Sequence, residues 1–242
     1  MATEKRNKLN TLYTQVSAGT PLTSAKLAEL GISSNLAGQY AKAGWLTRLS
    51  QGVYARANDV LDVYRCLVVL QEGVPGLHVG GKTALDWHGL RQYVSLKPTL
   101  HLYGWETASL PAWFTERFPA EYRRKRLFRE VPGQMLHVQP HAGSDALVSS
   151  PERALLEMLS EVGLRQPMQE AREIAGTTHH LRSTVLRQLL EHCSSVKTVR
   201  LCLQLGRELQ LPWAAKLNAD DLPARSKSPW VSRSRDGLLV LK

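Results

Sequence analysis

Leu9, Leu12, Tyr13 and Val16 recur at three- and four-residue spacing. That is the period of a helix with one apolar face, and it predicts a helix over residues 3–17 that ends before Gly19 and the Thr20-Pro21 pair. Thr23 is a good N-cap for a second helix, which turns Leu27 and Leu30 inward until Gly31 supplies a left-handed stop. Ile32 then packs inward, Ser33 or Ser34 caps a third helix reaching about Ala43, and Gly44 terminates it. Trp45 to Leu49 and Val53 to Arg56 are β-prone runs on either side of a glycine turn, which is the pattern of a hairpin. Two helices joined by a short turn make a helix-turn-helix, and a hairpin directly after them makes it a winged helix.

In the third helix Leu36, Ala37 and Tyr40 form the inward stripe, which leaves Asn35, Gln39 and Lys42 on the opposite face. Gln and Asn can make paired contacts with adenine, Lys can reach guanine or phosphate, and Arg48 and Arg56 on the wing can hold the backbone or the minor groove. Lys26, Ser33, Ser34 and Gln51 border this face and complete the candidate DNA-binding set. A winged helix that contacts protein is the alternative for the same segment.

Past Asn58-Asp59 the pattern changes. Val60 to Leu70 reads as a mostly buried helix, residues 96–103 as a strand, 111–118 as a short helix and 135–138 as another strand. Ser149-Ser150-Pro151-Glu152 is a strong helix start, with N-cap serines, proline in the first turn and an early acid. Further helices are predicted over 166–175, 180–193 and 195–209, and Asp236-Gly237 with the apolar run after it predicts a closing hairpin strand. The fold class is therefore α+β. A winged helix-turn-helix DNA-binding domain over 1–58 is followed by a larger mixed α/β, helix-rich C-terminal domain over 59–242.

Charge sharpens this picture. The formal net charge is +10 over 242 residues, and surplus Lys and Arg gain free energy by releasing counterions from a polyanion, so nucleic acid is the leading partner. The longest apolar run, Cys66 to Leu70, is far too short to cross a membrane, and the polar N-terminus lacks the apolar centre of a secretory signal. A cytoplasmic protein with no membrane partner is expected. Cys66, Cys193 and Cys202 share no zinc-site spacing and read as reduced, mostly buried thiols. Arg117, Arg123, Arg124, Lys125, Arg126 and Arg129 form a dense basic stretch with Glu116, Glu121 and Glu130 interspersed. It is either a second basic patch, made of Arg123, Arg124, Lys125, Arg126 and Arg129, or a solvated face.

Candidate chemistry is sparse. Gly76 to Thr83, GLHVGGKT, fits the phosphate-loop pattern letter for letter. A turn-forming Gly73-Val74-Pro75 precedes it where a buried strand is required, and bulky Leu77, His78 and Val79 fill the loop positions. The preferred reading is that Gly80-Gly81 ends a short strand and starts a helix through His88. His137, His141 and Asp145 are four apart, but Pro140 and Gly143 break any helix that could align them. His179-His180 sits at a helix start, as a surface cap. No nucleophile triad has interpretable spacing, so no cofactor, no metal and no enzymatic activity are expected.

The stretch Leu36 to Ala55, LAGQYAKAGWLTRLSQGVYA, resembles the helix-and-wing signature of AbiEi-type antitoxins of abortive-infection toxin-antitoxin systems. GGKTALDWHGL, SSPERALLEML and SSVKTVRLCLQL resemble later blocks of that family in the same order, and PWVSRSRDGLLVLK matches its closing strands loosely. The resemblance implies a winged-helix domain that binds repeats in its own double-stranded promoter DNA and represses the operon. It also implies a C-terminal domain that counteracts a cognate nucleotidyltransferase-like toxin without a stable complex. By position, Asn35, Gln39, Lys42, Arg48 and Arg56 fall on the DNA-facing surface of that family. The expected function is thus an antitoxin and autorepressor of a type IV, AbiE-like system for phage defence. The alternatives are a stand-alone winged-helix transcription regulator and a nucleic-acid-targeted enzyme using the C-terminal domain.

Overall fold

The computed structural model describes residues 2–90, 98–129, 138–141, 144–218, 222, 230–234 and 237–241, with residues 2–6, 138–141, 230–234 and 237–241 described by backbone alone. The chain packs as two compact units. One comprises Met1–Pro75, Leu110–Phe118 and Pro140–Ala146; the other comprises Gly76–Ser109, Pro119–Gln139 and Leu147–Lys242.

The first unit begins with α1 (Ala2–Gln15), β1 (Leu22–Thr23), α2 (Ser24–Glu29), α3 (Ser34–Lys42), β2 (Leu46–Ser50), β3 (Val53–Arg56) and α4 (Val63–Gly73). Side-chain caps set the helix starts. The Thr23 hydroxyl accepts from the Lys26 amide at 3.2 Å, Ser33 from Leu36 at 3.3 Å and the Asp62 carboxylate from Arg65 at 2.9 Å, each satisfying an orphan donor of its first turn. After α2 and α3 the chain turns at Gly31 and Gly44, whose φ of +71° and +77° suit glycine. The three strands pair antiparallel in the order β1-β3-β2, and Leu12, Leu22, Leu27, Ile32, Ala37 and Leu46 fill the core against α1 to α3. This is a winged helix with its helices and hairpin in the predicted order, to which β1, absent from the sequence pattern, adds a third strand. The wing is tied down near its tip, where the Ser24 amide donates to the Gly52 carbonyl at 2.8 Å.

The remaining elements are β4 (His78–Val79), α5 (Gly81–Trp87), β5 (Leu100–Gly104), α6 (Ala112–Thr115), β6 (Ala120–Arg124), β7 (Val138–His141), β8 (Ser144–Ser149), α7 (Pro151–Ser160), α8 (Met168–Gly176), α9 (Ser183–Glu191), α10 (Val196–Glu208), β9 (Trp230–Ser234) and β10 (Gly237–Leu241). A five-stranded sheet runs β6-β5-β4-β8-β7; β4 is antiparallel to β5 and parallel to β8, and β5 is parallel to β6. Helix α7 is the hub, in contact with α5, α8, α9 and α10 and buried from Glu152 to Ser160. The C-terminal hairpin pairs Gly237 with Ser234 and Leu241 with Trp230. The strand predicted over 96–103 spans Leu100–Gly104, with residues 91–97 outside the described residues; residues 135–137 of the other predicted strand also lie outside them. Strands β6 and β8 have no counterpart in the sequence pattern. The architecture is α+β, and all three cysteines are free and buried.

Candidate nucleic-acid interface

Helix α3 buries Ala37 and Tyr40 and exposes Asn35, Gln39 and Lys42. Residues at i, i+4 and i+7 share a helix face, so one strip of α3 presents two amides and an ammonium to solvent. Ser33 and Ser34 are exposed at its start, Ser33 as the cap. Arg48 and Gln51 are exposed on the wing, where a bulge between Arg48 and Ser50 shifts the register and Arg48 Nε donates to the Ser50 carbonyl at 3.4 Å. Lys26 is exposed on α2 and pairs with Glu29 at 2.7 Å, a bond that raises the lysine's pKa. At the surface a phosphate can displace such a pair.

Arg56 does not join this face. Its guanidinium lies against α1: Nη1 donates to the Val16 carbonyl at 3.1 Å and the Tyr13 carbonyl at 3.4 Å, Nε is 3.3 Å from an Asp59 carboxylate oxygen, and Cζ sits 4.5 Å from the centre of the Tyr13 ring. The side chain is 17% exposed. Strand alternation explains why: Arg56 is the last residue of β3, paired to Leu46, and its place in the pleat turns it toward the end of α1.

The second basic patch is divided by the same alternation. Arg123 points inward from β6, is 8% exposed, and meets Glu121 at 2.8 Å and Glu161 at 3.4 Å. Lys125 bonds Glu161 at 2.7 Å and the Ser160 carbonyl at 3.3 Å, so it is committed to the C-terminal end of α7. Arg124, Arg126 and Arg129 remain exposed; Arg124 donates to Thr107 at 3.2 Å, and Arg126 lies 5.7 Å from the Trp105 ring and 3.6 Å from Glu106. The single patch of five is thus an exposed trio, a buried Arg123 and a part-buried Lys125, the last two engaged by Glu161.

The phosphate-loop match resolves into a buried ionic clasp. His78 ends up on β4, Gly80 caps α5, and the carboxylate of Glu157 from α7 lies against the start of α5: Oε2 accepts from the Gly81 amide at 3.1 Å and from the Ser149 hydroxyl at 2.8 Å. Oε1 accepts from Arg153 Nε at 2.7 Å and lies 2.9 Å from His78 Nε2, while His78 Nδ1 donates to the Gly76 carbonyl at 2.7 Å. Burial alone would raise the Glu157 pKa; the charges and hydrogen bonds of His78 and Arg153 more than offset it and hold it at about 2. Lys82 pairs with Glu170 at 2.8 Å, and the Thr83 hydroxyl accepts from the His101 amide at 2.9 Å. A Cβ on Gly80 would fall 2.2 Å from Glu157 Oε2, so the glycines admit a carboxylate from the same chain. The Gly81 amide, the Lys82 ammonium and the Thr83 hydroxyl, which a phosphate loop would aim at nucleotide, are engaged within the chain. The sequence left Glu157 and Arg153 within an ordinary helix, and their (i, i+4) spacing was the only local sign of the pair.

Among the described residues no group of three or more His, Cys, Asp or Glu side chains is arranged to hold a metal ion. Of the spaced trio, His137 and the side chain of His141 lie outside the described residues. His179 and His180 are exposed before α9. Among the described residues no helix is long and apolar enough to cross a membrane.

Comparison with known proteins places these features. Residues 5–96 match a family model described as the N-terminal domain of AbiEi antitoxin transcriptional regulators, and residues 97–242 match one described as transcriptional regulator, AbiEi antitoxin, type IV toxin-antitoxin system. No curated protein matches. Among solved structures, the crystal structure of the RV2827C protein from Mycobacterium tuberculosis has a similar fold, with a TM-score of 0.57 at 13% identity over 93% of this chain and 87% of that one.

Proposed function

Since the chain belongs to the AbiEi antitoxin family of transcriptional regulators in type IV toxin-antitoxin systems, we propose that it represses its own operon by binding promoter repeats through α3 and the wing. The observation that carries this reading is the exposed strip of Asn35, Gln39 and Lys42, set on a helix whose other face is locked into the winged-helix core. Side chains of these types can read base edges in a major groove while Lys26, Arg48 and Gln51 hold phosphates on either side. In this reading residues 1–58 carry DNA recognition. The exposed Arg124, Arg126 and Arg129 add to the attraction for a polyanion. The protein is a cytoplasmic regulator and has no catalytic role.

Residues 59–242 carry the antitoxin activity against a cognate nucleotidyltransferase-like toxin. Support comes from the family model that spans residues 97–242. Co-expression tests it: the full chain with Gln39→Ala and Lys42→Ala should lose repression of a promoter reporter and still rescue growth from the toxin encoded beside it. Loss of rescue by this variant, when it is folded and abundant, would join the two activities in one surface and refute their separation.

A further inference from the structure

Around Arg56 the winged helix holds a set of polar contacts outside its apolar core. The Tyr13 hydroxyl donates to the Trp45 carbonyl at 3.1 Å, at the joint where α3 gives way to the wing. The Trp45 amide in turn donates to the Tyr40 carbonyl at 2.9 Å, and the Ala57 amide donates to the Trp45 carbonyl at 3.2 Å. One carbonyl therefore receives both a side chain of α1 and the amide that follows β3. Arg56 closes the loop from the other side. It lies over the ring of Tyr13, donates to the Tyr13 and Val16 carbonyls, and meets Asp59. Asp59 is held in place by the Gly19 amide, which donates to its Oδ2 at 2.8 Å. Gly19 has no room for a side chain, since a Cβ there would sit 2.7 Å from the Val60 carbonyl. The carbonyls that Arg56 caps lie in the last turn of α1 and one residue past its end, where a cation is favoured.

We propose that Tyr13 and Arg56 are positioning residues for DNA recognition, which fix α3 at a set angle to the wing so that Asn35, Gln39 and Lys42 meet base edges in register with the backbone that Arg48 and Gln51 hold; without them the wing keeps its phosphates and the helix loses its register. The proposal rests on the DNA-binding reading of this unit. It assigns Arg56 a different part from that of a phosphate contact, and the two parts give different signatures. A phosphate contact lowers affinity equally on all sequences and reduces the salt slope when lost. A positioning residue leaves the number of neutralised phosphates unchanged and costs discrimination between sequences, because only base-edge contacts depend on geometry that fine.

The test uses the full chain as wild type, Arg56→Lys, Arg56→Met and Tyr13→Phe, with binding followed by fluorescence anisotropy on duplex from its own promoter and on scrambled duplex between 50 and 200 mM salt. Arg56→Lys keeps the charge and loses the fork that reaches two carbonyls and Asp59. Tyr13→Phe removes one hydroxyl, leaves the ring under Arg56, and serves if the arginine variants melt below the assay temperature. The expected result is a promoter preference reduced by about tenfold in Arg56→Lys and Arg56→Met alike, the worth of a misplaced base contact. Tyr13→Phe should show a smaller loss in the same direction, and the salt slope should match wild type throughout. A slope lowered by about one in Arg56→Met with preference intact would overturn the proposal in favour of a phosphate contact. Full preference in all three variants would overturn it too. A wild-type chain with no promoter preference would refute the DNA-recognition reading itself, and the positioning role with it.

Discussion

Replacing Glu157 by Gln is the sharpest probe of the clasp in the second unit. The substitution keeps shape and volume, but it removes the negative charge facing His78 and Arg153, and it puts an amide where one carboxylate oxygen now accepts a hydrogen bond. The carboxylate accepts from Arg153 at 2.7 Å, Ser149 at 2.8 Å and Gly81 at 3.1 Å, and it is 2% exposed. Water cannot take over at that depth, so the Arg153 guanidinium is left buried without its counter-ion. Breaking a buried pair from one side costs about 3–5 kcal/mol, a large share of the ~5–15 kcal/mol that keeps an ordinary domain folded. Because the chain has two units, the loss is read locally, by hydrogen exchange across α5 and α7. A loss of about 4 kcal/mol corresponds to exchange roughly a thousandfold faster from the Gly81 amide and its neighbours. Arg165→Ala is the control, since its bond to Glu161 is made by a side chain that is 63% exposed and such pairs are worth ~1 kcal/mol or less. Equal, small effects of the two substitutions would refute the claim that the clasp holds β4, α5 and α7 together.

Three further outcomes are expected. Lys82→Ala should leave calorimetric titrations with ATP as featureless as those of the wild type, because Lys82 serves Glu170 and the Gly81 amide serves Glu157; binding that disappears with the lysine would restore the nucleotide reading. His101 is pushed down to about 3 by burial and by the nearby Arg123 and Lys82 charges. A lowered histidine keeps its full contribution above its unfolded value of 6.5 and loses it progressively toward pH 3, so the urea midpoint of the second unit should fall between pH 7 and pH 5, and that fall should shrink in His101→Gln. Glu152, which burial alone would raise, is held at about 2 by Arg182, and Glu157 is at the same value. Both contribute fully above 4.5 and lose that contribution as pH falls through 2, so acid unfolding monitored by circular dichroism should steepen below pH 4.5 and do so less in Arg182→Ala.

The winged helix was legible because each of its boundaries is written locally. Thr23 and Ser33 cap, Gly31 and Gly44 stop, and Leu12, Leu27, Ala37 and Tyr40 keep a helical period. What the sequence hid depends on distant partners or on the period of a strand. Glu157 meets His78 across 79 positions and Gly81 across 76, and no local pattern reports such a pairing. The run from Arg123 to Arg129 reads as one patch until β6 turns Arg123 inward and Arg124 outward. Arg56 carries the charge expected of a DNA contact, yet the nearest acceptors are the carbonyls at the end of α1, which composition does not reveal. The GLHVGGKT match failed for a reason partly visible beforehand, the turn that precedes it, and partly not, the carboxylate already seated on its glycine.

The central claim is that the exposed strip of α3 reads promoter DNA. Fluorescence anisotropy of the full chain on promoter and scrambled duplex, with and without Gln39→Ala plus Lys42→Ala, tests it most directly. The exposed face offers Lys26 and Arg48 to phosphates, so wild-type affinity should fall about twelvefold between 50 and 200 mM salt, with promoter preference persisting. The double substitution should abolish that preference and leave the salt slope close to that of the wild type, because Gln39 and Lys42 meet base edges. Preference that survives the double substitution would contradict the account and move recognition off α3.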